Sequence, residues 1–297
     1  MVGDPEQLPP TNVGERGNDE ADDDTIADLP TILDECLGAN IPHLELTWHY
    51  QSRHESLIAF SNAKYYRGRL VTFPSTDTKD TAVSFIHVPE GVYERGAGRI
   101  NRKEAETLVS HLLEQIRTSS QSIGVVTFNS KQQRLIENLL DQARMTDPTL
   151  EPFFDPVRSR EPVIVKNLEN VQGDERDIIL FSGAVGPDNA GIVRAQISSL
   201  NKEGGHRRLN VAVTRARQKL TVFSFMKPSQ IDLGRTNARG VRDFKHFLEF
   251  AERGPKAMAE AFEMTGHSTE SPFEDAVKAA LEREVGKFIL KLVFFLR

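Results

Sequence analysis

An α/β protein, built on a parallel sheet with helices on both faces, is what this sequence predicts, and three observations carry the prediction. Short apolar runs such as Ile123-Gly124-Val125-Val126-Thr127-Phe128 and Ile178-Ile179-Leu180-Phe181 lack polar alternation, the mark of strands buried on both faces. Other stretches space their apolar residues as a helix does: Ala105, Leu108, Val109, Leu112, Leu113 and Ile116 form one stripe over residues 102–117. The two textures alternate along the chain, as successive strand, crossover helix and parallel strand require.

Taken in order, Ile32, Leu33, Cys36 and Leu37 recur at helical spacing, and Leu44 and Leu46 suit a short strand. Leu57, Ile58, Phe60 and Tyr65 predict a helix over about 54–66, ending toward Gly68. Val83-Ser84-Phe85-Ile86-His87-Val88 has strand composition. After the 123–128 strand, Asn129 or Ser130 can cap a helix whose Leu135, Ile136, Leu139 and Leu140 share a face. Val163-Ile164-Val165 is a further buried strand, Leu209 to Val213 lie in a helix, and Leu220-Thr221-Val222-Phe223 closes the sheet. Residues 240–253 form a helix that turns Val241, Phe244, Phe247, Leu248 and Ala251 inward. Ser271-Pro272-Phe273-Glu274 combines an N-cap, a first-turn proline and a capping-box glutamate, so another helix opens there.

Composition bounds the function. Among 297 residues, 37 are Lys or Arg and 43 are Asp or Glu, so a net charge of −6 leaves no global basic field. Cys36 is the only cysteine, which excludes an intrachain disulfide and a cysteine-based zinc site and suits a reducing, cytoplasmic home. No N-terminal stretch has the apolar core of a signal peptide, and the apolar tail 288–296 is too short to span a bilayer. Acidic residues crowd positions 13–31 with almost nothing apolar, which reads as a solvated loop.

Four clusters carry chemistry. In Gly3-Asp4-Pro5-Glu6-Gln7-Leu8-Pro9-Pro10, a glutamine after a tight turn can orient a water or bond a phosphate oxygen. In Trp48-His49-Tyr50-Gln51-Ser52-Arg53-His54, Tyr50 can stack on a base and Arg53 can pair a phosphate; a half-exposed helix start with a buried Trp48 explains the same residues. In Val171-Gln172-Gly173-Asp174-Glu175-Arg176-Asp177, Gly173 allows a tight turn whose N–H groups face an anion, and Glu175 can accept from ribose hydroxyls; a plain surface turn is the other reading. In Arg207 through Arg217, helical spacing puts Val211 and Arg215 on one face, where an arginine packed toward a sheet suits an anion; a solvated basic face is the alternative.

In this order, the four clusters resemble the C-terminal half of superfamily 1 helicases of the 5′-to-3′ branch. GDPEQLPP resembles motif III, LTWHYQSRHESLIAFSNAKYYRGRL motif IV, NVQGDERDIILFS motif V and RRLNVAVTRARQKLTVF motif VI, and GVVTFNSKQQRLIENLL resembles the segment after motif IV. WHYQSRHESLIAFSN, RTNARGVRDFKHFL and SPFEDAV further resemble large bacterial proteins in which this core precedes a restriction-endonuclease-like domain.

The resemblance implies a RecA-like second helicase lobe over residues 31–253. Residues 1–30 would be the motif III loop and an acidic flexible segment, the loop dangling with it. Residues 254–270 would be a linker and 271–297 the truncated start of a nuclease-like domain. It implies that Gln7 senses the γ-phosphate, Tyr50 packs on adenine, Gly173 and Glu175 contact the nucleotide, and Arg215 is the arginine finger. The family's second arginine follows the tyrosine; here that position is Gln51, and Arg53 is the nearest substitute. The cofactor implied is ATP with Mg2+, the partner single-stranded DNA (with RNA possible). No G-x-x-x-x-G-K-[ST] occurs in the sequence, so the P-loop and the Mg2+ ligands are expected on an N-terminal lobe supplied in cis or in trans, and no metal ligand is expected here. Alone, the chain is expected to bind ATP weakly and hydrolyse none. A non-catalytic nucleic-acid-binding module reusing the fold is the alternative. Nuclease activity is not expected, because no acidic–lysine strand follows Glu274, Asp275 and Glu282.

Overall fold

The computed structural model describes residues 3–8, 32–73, 75, 82–89, 93, 99–186 and 197–257. The acidic segment and the helix expected at 271 lie outside them. A short helix α1 (Ile32–Gly38) precedes a two-stranded parallel pair, β1 (Trp48–His49) and β2 (Val71–Thr72), which flanks α2 (Ser56–Lys64). The main sheet then builds through β3 (Val83–His87), α3 (Arg102–Thr118), β4 (Ile123–Thr127), α4 (Ser130–Thr146), β5 (Ile164–Asn167), β6 (Arg176–Ser182), α5 (Gly205–Val213), β7 (Ala216–Ser224) and α6 (Arg239–Arg253). Its order is β3-β7-β6-β4-β5, and every pairing is parallel. This is the RecA-like α/β architecture that the sequence predicts.

Alternate residues of each central strand enter different cores. Val126, Ile179, Phe181, Leu220 and Val222 pack under α2, α5 and α6 with Phe60, Leu209, Phe244 and Phe247. Val125, Ile178, Leu180 and Phe223 pack under α3 and α4 with Leu108, Leu112 and Ile136. Both faces are thus dry, which is why these strands read as unbroken apolar runs. Asn101 and Asn129 cap α3 and α4, accepting from the N–H groups of Glu104 (3.1 Å) and Gln132 (2.9 Å). One expectation fails: Leu44 is 97% exposed and lies in an extended stretch without a strand, which begins only at Trp48. Among the described residues no strand pairs that stretch ahead of Thr47, so its apolar alternation has no face to bury.

The N-termini of α5 and α6 meet almost without side chains. A Cβ on Gly240 would lie 2.5 Å from the Leu200 carbonyl oxygen and 2.9 Å from the Gly205 carbonyl carbon. Backbone atoms cannot give way as a side chain can. Gly240→Ala is therefore expected to cost about 1–3 kcal/mol, seen as a lower urea midpoint; an unchanged midpoint would show that the helices cross with room to spare.

Candidate functional site

The sequence clusters converge where β6 and β7 begin side by side, Arg176 in register with Ala216. The turn ahead of β6 is closed by Asp174 N–H to the Val171 carbonyl at 3.2 Å, with Gly173 at φ +86° in its third position. That conformation favours glycine, and nothing lies within 4 Å of where a Cβ would stand, so the turn is open to a ligand. Glu175 follows, its side chain 37% exposed.

Ahead of β7, α5 stops at Val213, which corrects the sequence expectation that Arg215 stands on the helix. Arg215 lies beyond the C-cap Thr214 and reaches back: its Nε donates to the Val211 carbonyl at 2.8 Å and its Nη2 to Thr214 Oγ1 at 3.1 Å. The expected Val211–Arg215 relation thus survives as a hydrogen bond. Arg215 is 6% exposed, and burial lowers its pKa while Glu175 opposes that; a guanidinium keeps its charge regardless. Its Nη1 stands 3.9 Å from Glu175 Oε1, too long for a hydrogen bond. A nearly buried cation is thereby fixed at two nitrogens and paired only loosely at the third, an arrangement that fits a phosphate oxygen.

Residues 3–8 do not dangle. Asp4 forms a turn in which Oδ1 accepts from Glu6 N–H (2.9 Å) and the carbonyl from Gln7 N–H (3.2 Å). Its Oδ2 accepts from Gln7 Nε2 (2.9 Å) and from the Tyr66 hydroxyl (2.8 Å). Asn210 of α5 donates from Nδ2 to the Glu6 carbonyl and to the Tyr66 oxygen, both at 2.9 Å. Gln172 Nε2 approaches the Leu8 carbonyl at 3.4 Å, tying the loop to the Gly173 turn. Glu6 lies 3.9 Å from both His206 and Arg239; burial raises its pKa, and the Arg239 and Arg207 cations counter the rise. The loop is held because the Asp4 carboxylate gathers three donors and Asn210 offers a buried amide.

The segment around Tyr50 runs along the same edge. Gln51 Nε2 donates to the Thr214 carbonyl (3.1 Å), and Arg53 N–H donates to the Arg217 carbonyl (2.7 Å). Burial, then the nearby Arg215 charge, lowers the His49 pKa. Tyr50 is 85% exposed, its ring open for stacking. Trp48, for which burial was an alternative reading, is 59% exposed and leans on Phe73 at 5.3 Å between ring centres. Arg53 instead lines an open cavity of about 550 Å³ with Ser119–Ile123, Arg160, Glu161, Asp177 and Arg217. Arg217 there is bound by Glu161 and by Asp177 at 3.2 Å. Arg215 and Glu175 do not line this cavity, so Gln51, not Arg53, is the residue of this segment bonded to the arginine's own loop.

The structure therefore joins Gln7, Glu175 and Arg215 at one edge, sets the Gly173 turn against the Gln7 loop, and places Arg53 to one side. Sequence reading missed Asp4, Tyr66, Asn210 and Thr214. Asn210 carried a signal: an amide inside the apolar run Leu209 to Val213 needs a partner. Among the described residues, no group of three or more His, Cys, Asp or Glu gathers as a metal site, and no helix is long and apolar enough to cross a membrane.

The chain is 34% identical to an uncharacterised ATP-dependent helicase (MG140 homolog) of Mycoplasma pneumoniae over 233 residues, 76% of this chain and 20% of that protein. It is 26% identical to the probable helicase senataxin of Mus musculus over 76% of this chain and 8% of senataxin. With the 5′-3′ DNA helicase ZGRF1 of Mus musculus the identity is 28%, over 75% of this chain and 11% of ZGRF1. The chain thus spans a fifth or less of the length of these relatives. The AAA domain family matches residues 31–227, from α1 through β7 and the turn beyond it, and the chain belongs to that family.

Proposed function

We propose that this chain is the C-terminal RecA-like lobe of an ATP-dependent superfamily 1 helicase or translocase. The observation that carries the reading is the pairing of Arg215 with Glu175 at 3.9 Å on one sheet edge, with the Gln7 loop bonded to α5, the helix that ends just before Arg215. ATP would lie against that edge. Arg215 would place its charge on the γ-phosphate as the arginine finger, Gln7 would orient the terminal phosphate and its attacking water, Glu175 would accept from the ribose, and Tyr50 would stack on the adenine. The Gly173 turn would admit the nucleotide without a side chain in the way. Arg53 would add positive charge from the neighbouring cavity. Mg2+ and the remaining phosphate donors would be held by a P-loop lobe, in cis or in trans; Mg2+ there neutralises the phosphate charge.

Single-stranded DNA, with RNA as the other substrate, is assigned to the opposite edge, where β4, β6 and β7 end. The reading gives the amino-end loops to ATP, which leaves the carboxyl ends for the nucleic acid. Residues 271–297 are assigned to the start of a further, nuclease-like domain.

The test is reconstitution. The chain alone is expected to hydrolyse no ATP; with a P-loop lobe added or fused, hydrolysis stimulated by single-stranded DNA is expected. Strand binding without hydrolysis in the reconstituted protein would favour the non-catalytic module. Within the active assembly, Tyr50→Ala is expected to raise the KM for ATP roughly tenfold, about the worth of one aromatic–base stack, with kcat nearly unchanged. An unchanged KM would remove Tyr50 from the adenine site.

A further inference from the structure

The Gln7 loop and Arg215 are separated by about two hundred residues in sequence, yet a series of hydrogen bonds joins them, passing through Asn210 from its side chain to its own backbone carbonyl. Gln7 Nε2 donates to Asp4 Oδ2 at 2.9 Å, and the same oxygen accepts the Tyr66 hydroxyl at 2.8 Å. The Tyr66 oxygen accepts from Asn210 Nδ2 at 2.9 Å. The Asn210 backbone carbonyl accepts from Thr214 Oγ1 at 2.9 Å, a proton shared with the Val211 carbonyl at 3.1 Å. Thr214 Oγ1 in turn accepts from Arg215 Nη2 at 3.1 Å. Every link has a donor and an acceptor of the right kind, and each is short enough to count.

We infer that Tyr66 and Asn210 are positioning residues that hold Gln7 and Arg215 in one register, so that the phosphate sensor and the finger meet the nucleotide as a unit. The inference rests on the helicase reading for what the two ends do, and on the hydrogen bonds for their being joined. Three features favour a positioning role over plain packing. Tyr66 spends its hydroxyl on both neighbours, donating to Asp4 and accepting from Asn210, so its ring alone could not replace it. Burial pushes that hydroxyl well above the usual tyrosine range, which keeps it a proton donor across all ordinary pH. Asn210 Oδ1 is buried and finds no partner among the described residues. A core amide that forgoes one bond to keep two donated ones in this network is being held for its geometry, because an unpaired buried acceptor is costly.

The chain also specifies which atoms remain for a ligand. Gln7 Nε2 and Arg215 Nη2 are bound into it; Gln7 Oε1 and Arg215 Nη1 are not part of it. Losing one link loosens Gln7 relative to Arg215 without touching either side chain, while the Glu6 and Leu8 carbonyls keep the loop in place.

Tyr66→Phe deletes a single oxygen and keeps the ring; Asp4→Asn, equally conservative in shape, is the second variant. In the chain as it stands, hydrogen–deuterium exchange read by mass spectrometry should show residues 3–8 exchanging at least several-fold faster in either variant. Unchanged exchange overturns the link. In the assembly with a P-loop lobe, either variant should lower kcat roughly ten- to hundredfold, the scale of a misplacement near 1 Å, with the KM for ATP within about twofold. Arg215→Ala, measured beside them, separates the two ideas. Full loss with Arg215→Ala but wild-type kcat in Tyr66→Phe overturns the positioning role and leaves the motor standing. Wild-type kcat with Arg215→Ala overturns both.

Discussion

Arg215→Ala in an assembly that contains a P-loop lobe is expected to lower the ATP hydrolysis rate by roughly 10³- to 10⁵-fold, the range for loss of an arginine finger. The effect should fall on kcat, because in the proposed site Arg215 would be a fixed donor aimed at charge that grows in the transition state. Its Nε and Nη2 are tied to the Val211 carbonyl and Thr214 Oγ1, so little reorganisation is needed when the phosphoryl group arrives. Arg215→Lys should fare little better, since one compact nitrogen cannot span the separate positions that Nε, Nη1 and Nη2 occupy on the planar fork. Folding should survive: the lost bonds end on the Val211 carbonyl, which also accepts from Thr214 Oγ1, and on the Thr214 hydroxyl, which is bonded elsewhere. Rapid turnover by a folded Arg215→Ala protein would remove this residue from catalysis. Arg53→Ala, on its separate cavity, should change kcat far less.

The second large effect concerns stability. Glu104, in the first turn of α3, is wholly buried, and its pKa is pushed up to about 7 by burial. Ser182 Oγ (2.6 Å) and Ala184 N–H (2.8 Å) donate to its Oε1, and Phe225 N–H (3.2 Å) to its Oε2, each bond lowering the pKa against that burial. One carboxyl thus fixes the loops leaving β6 and β7. Glu104→Ala strands three donors, at about 1–3 kcal/mol for a buried group left unpaired, so a loss on the order of 3 kcal/mol or more is expected in urea denaturation. The sign of the pH dependence follows from the raised value. The folded chain holds this proton more tightly than the unfolded chain, so the associated stability is fully present below about pH 4.5 and is lost as pH rises through about 7. The span corresponds to about 3 kcal/mol at most. Glu104→Gln keeps both bonds to Oε1 and forfeits the one from Phe225. It should start below wild type at pH 5, with the gap narrowing toward pH 8. Parallel stability curves for wild type and Glu104→Gln across that range would place the proton elsewhere.

Much of this fold was legible in the sequence. Residues 123–127 and 178–181 announced a two-faced sheet because both their faces are in fact dry, and Val241, Phe244, Phe247, Leu248 and Ala251 of α6 are all buried as their spacing required. What escaped was tertiary. Asp4, Tyr66 and Asn210 are far apart in sequence, and a hydrogen bond between distant residues leaves no periodicity. The end of α5 escaped for a local reason: Thr214 and Arg215 continue the helical spacing, yet the backbone leaves it so that β7 can start at Ala216. Leu44 and Leu46 misled because a strand pattern without a neighbouring strand predicts nothing. The motif order named residues that the fold brings near one another; only the fold supplied the network behind them.

The central claim, that the edge holding Arg215 and Glu175 is half of a nucleotide site, is tested most directly by titrating the isotope-labelled chain with Mg2+-ATP and following its amide and arginine side-chain NMR signals. Weak binding should shift Gln7, Tyr50, Gly173, Glu175, Thr214 and the Arg215 Nε–H together, with Ser182, Ala184 and Phe225 at the far edge unmoved. Shifts confined to the far edge, or none at millimolar ATP, would contradict it.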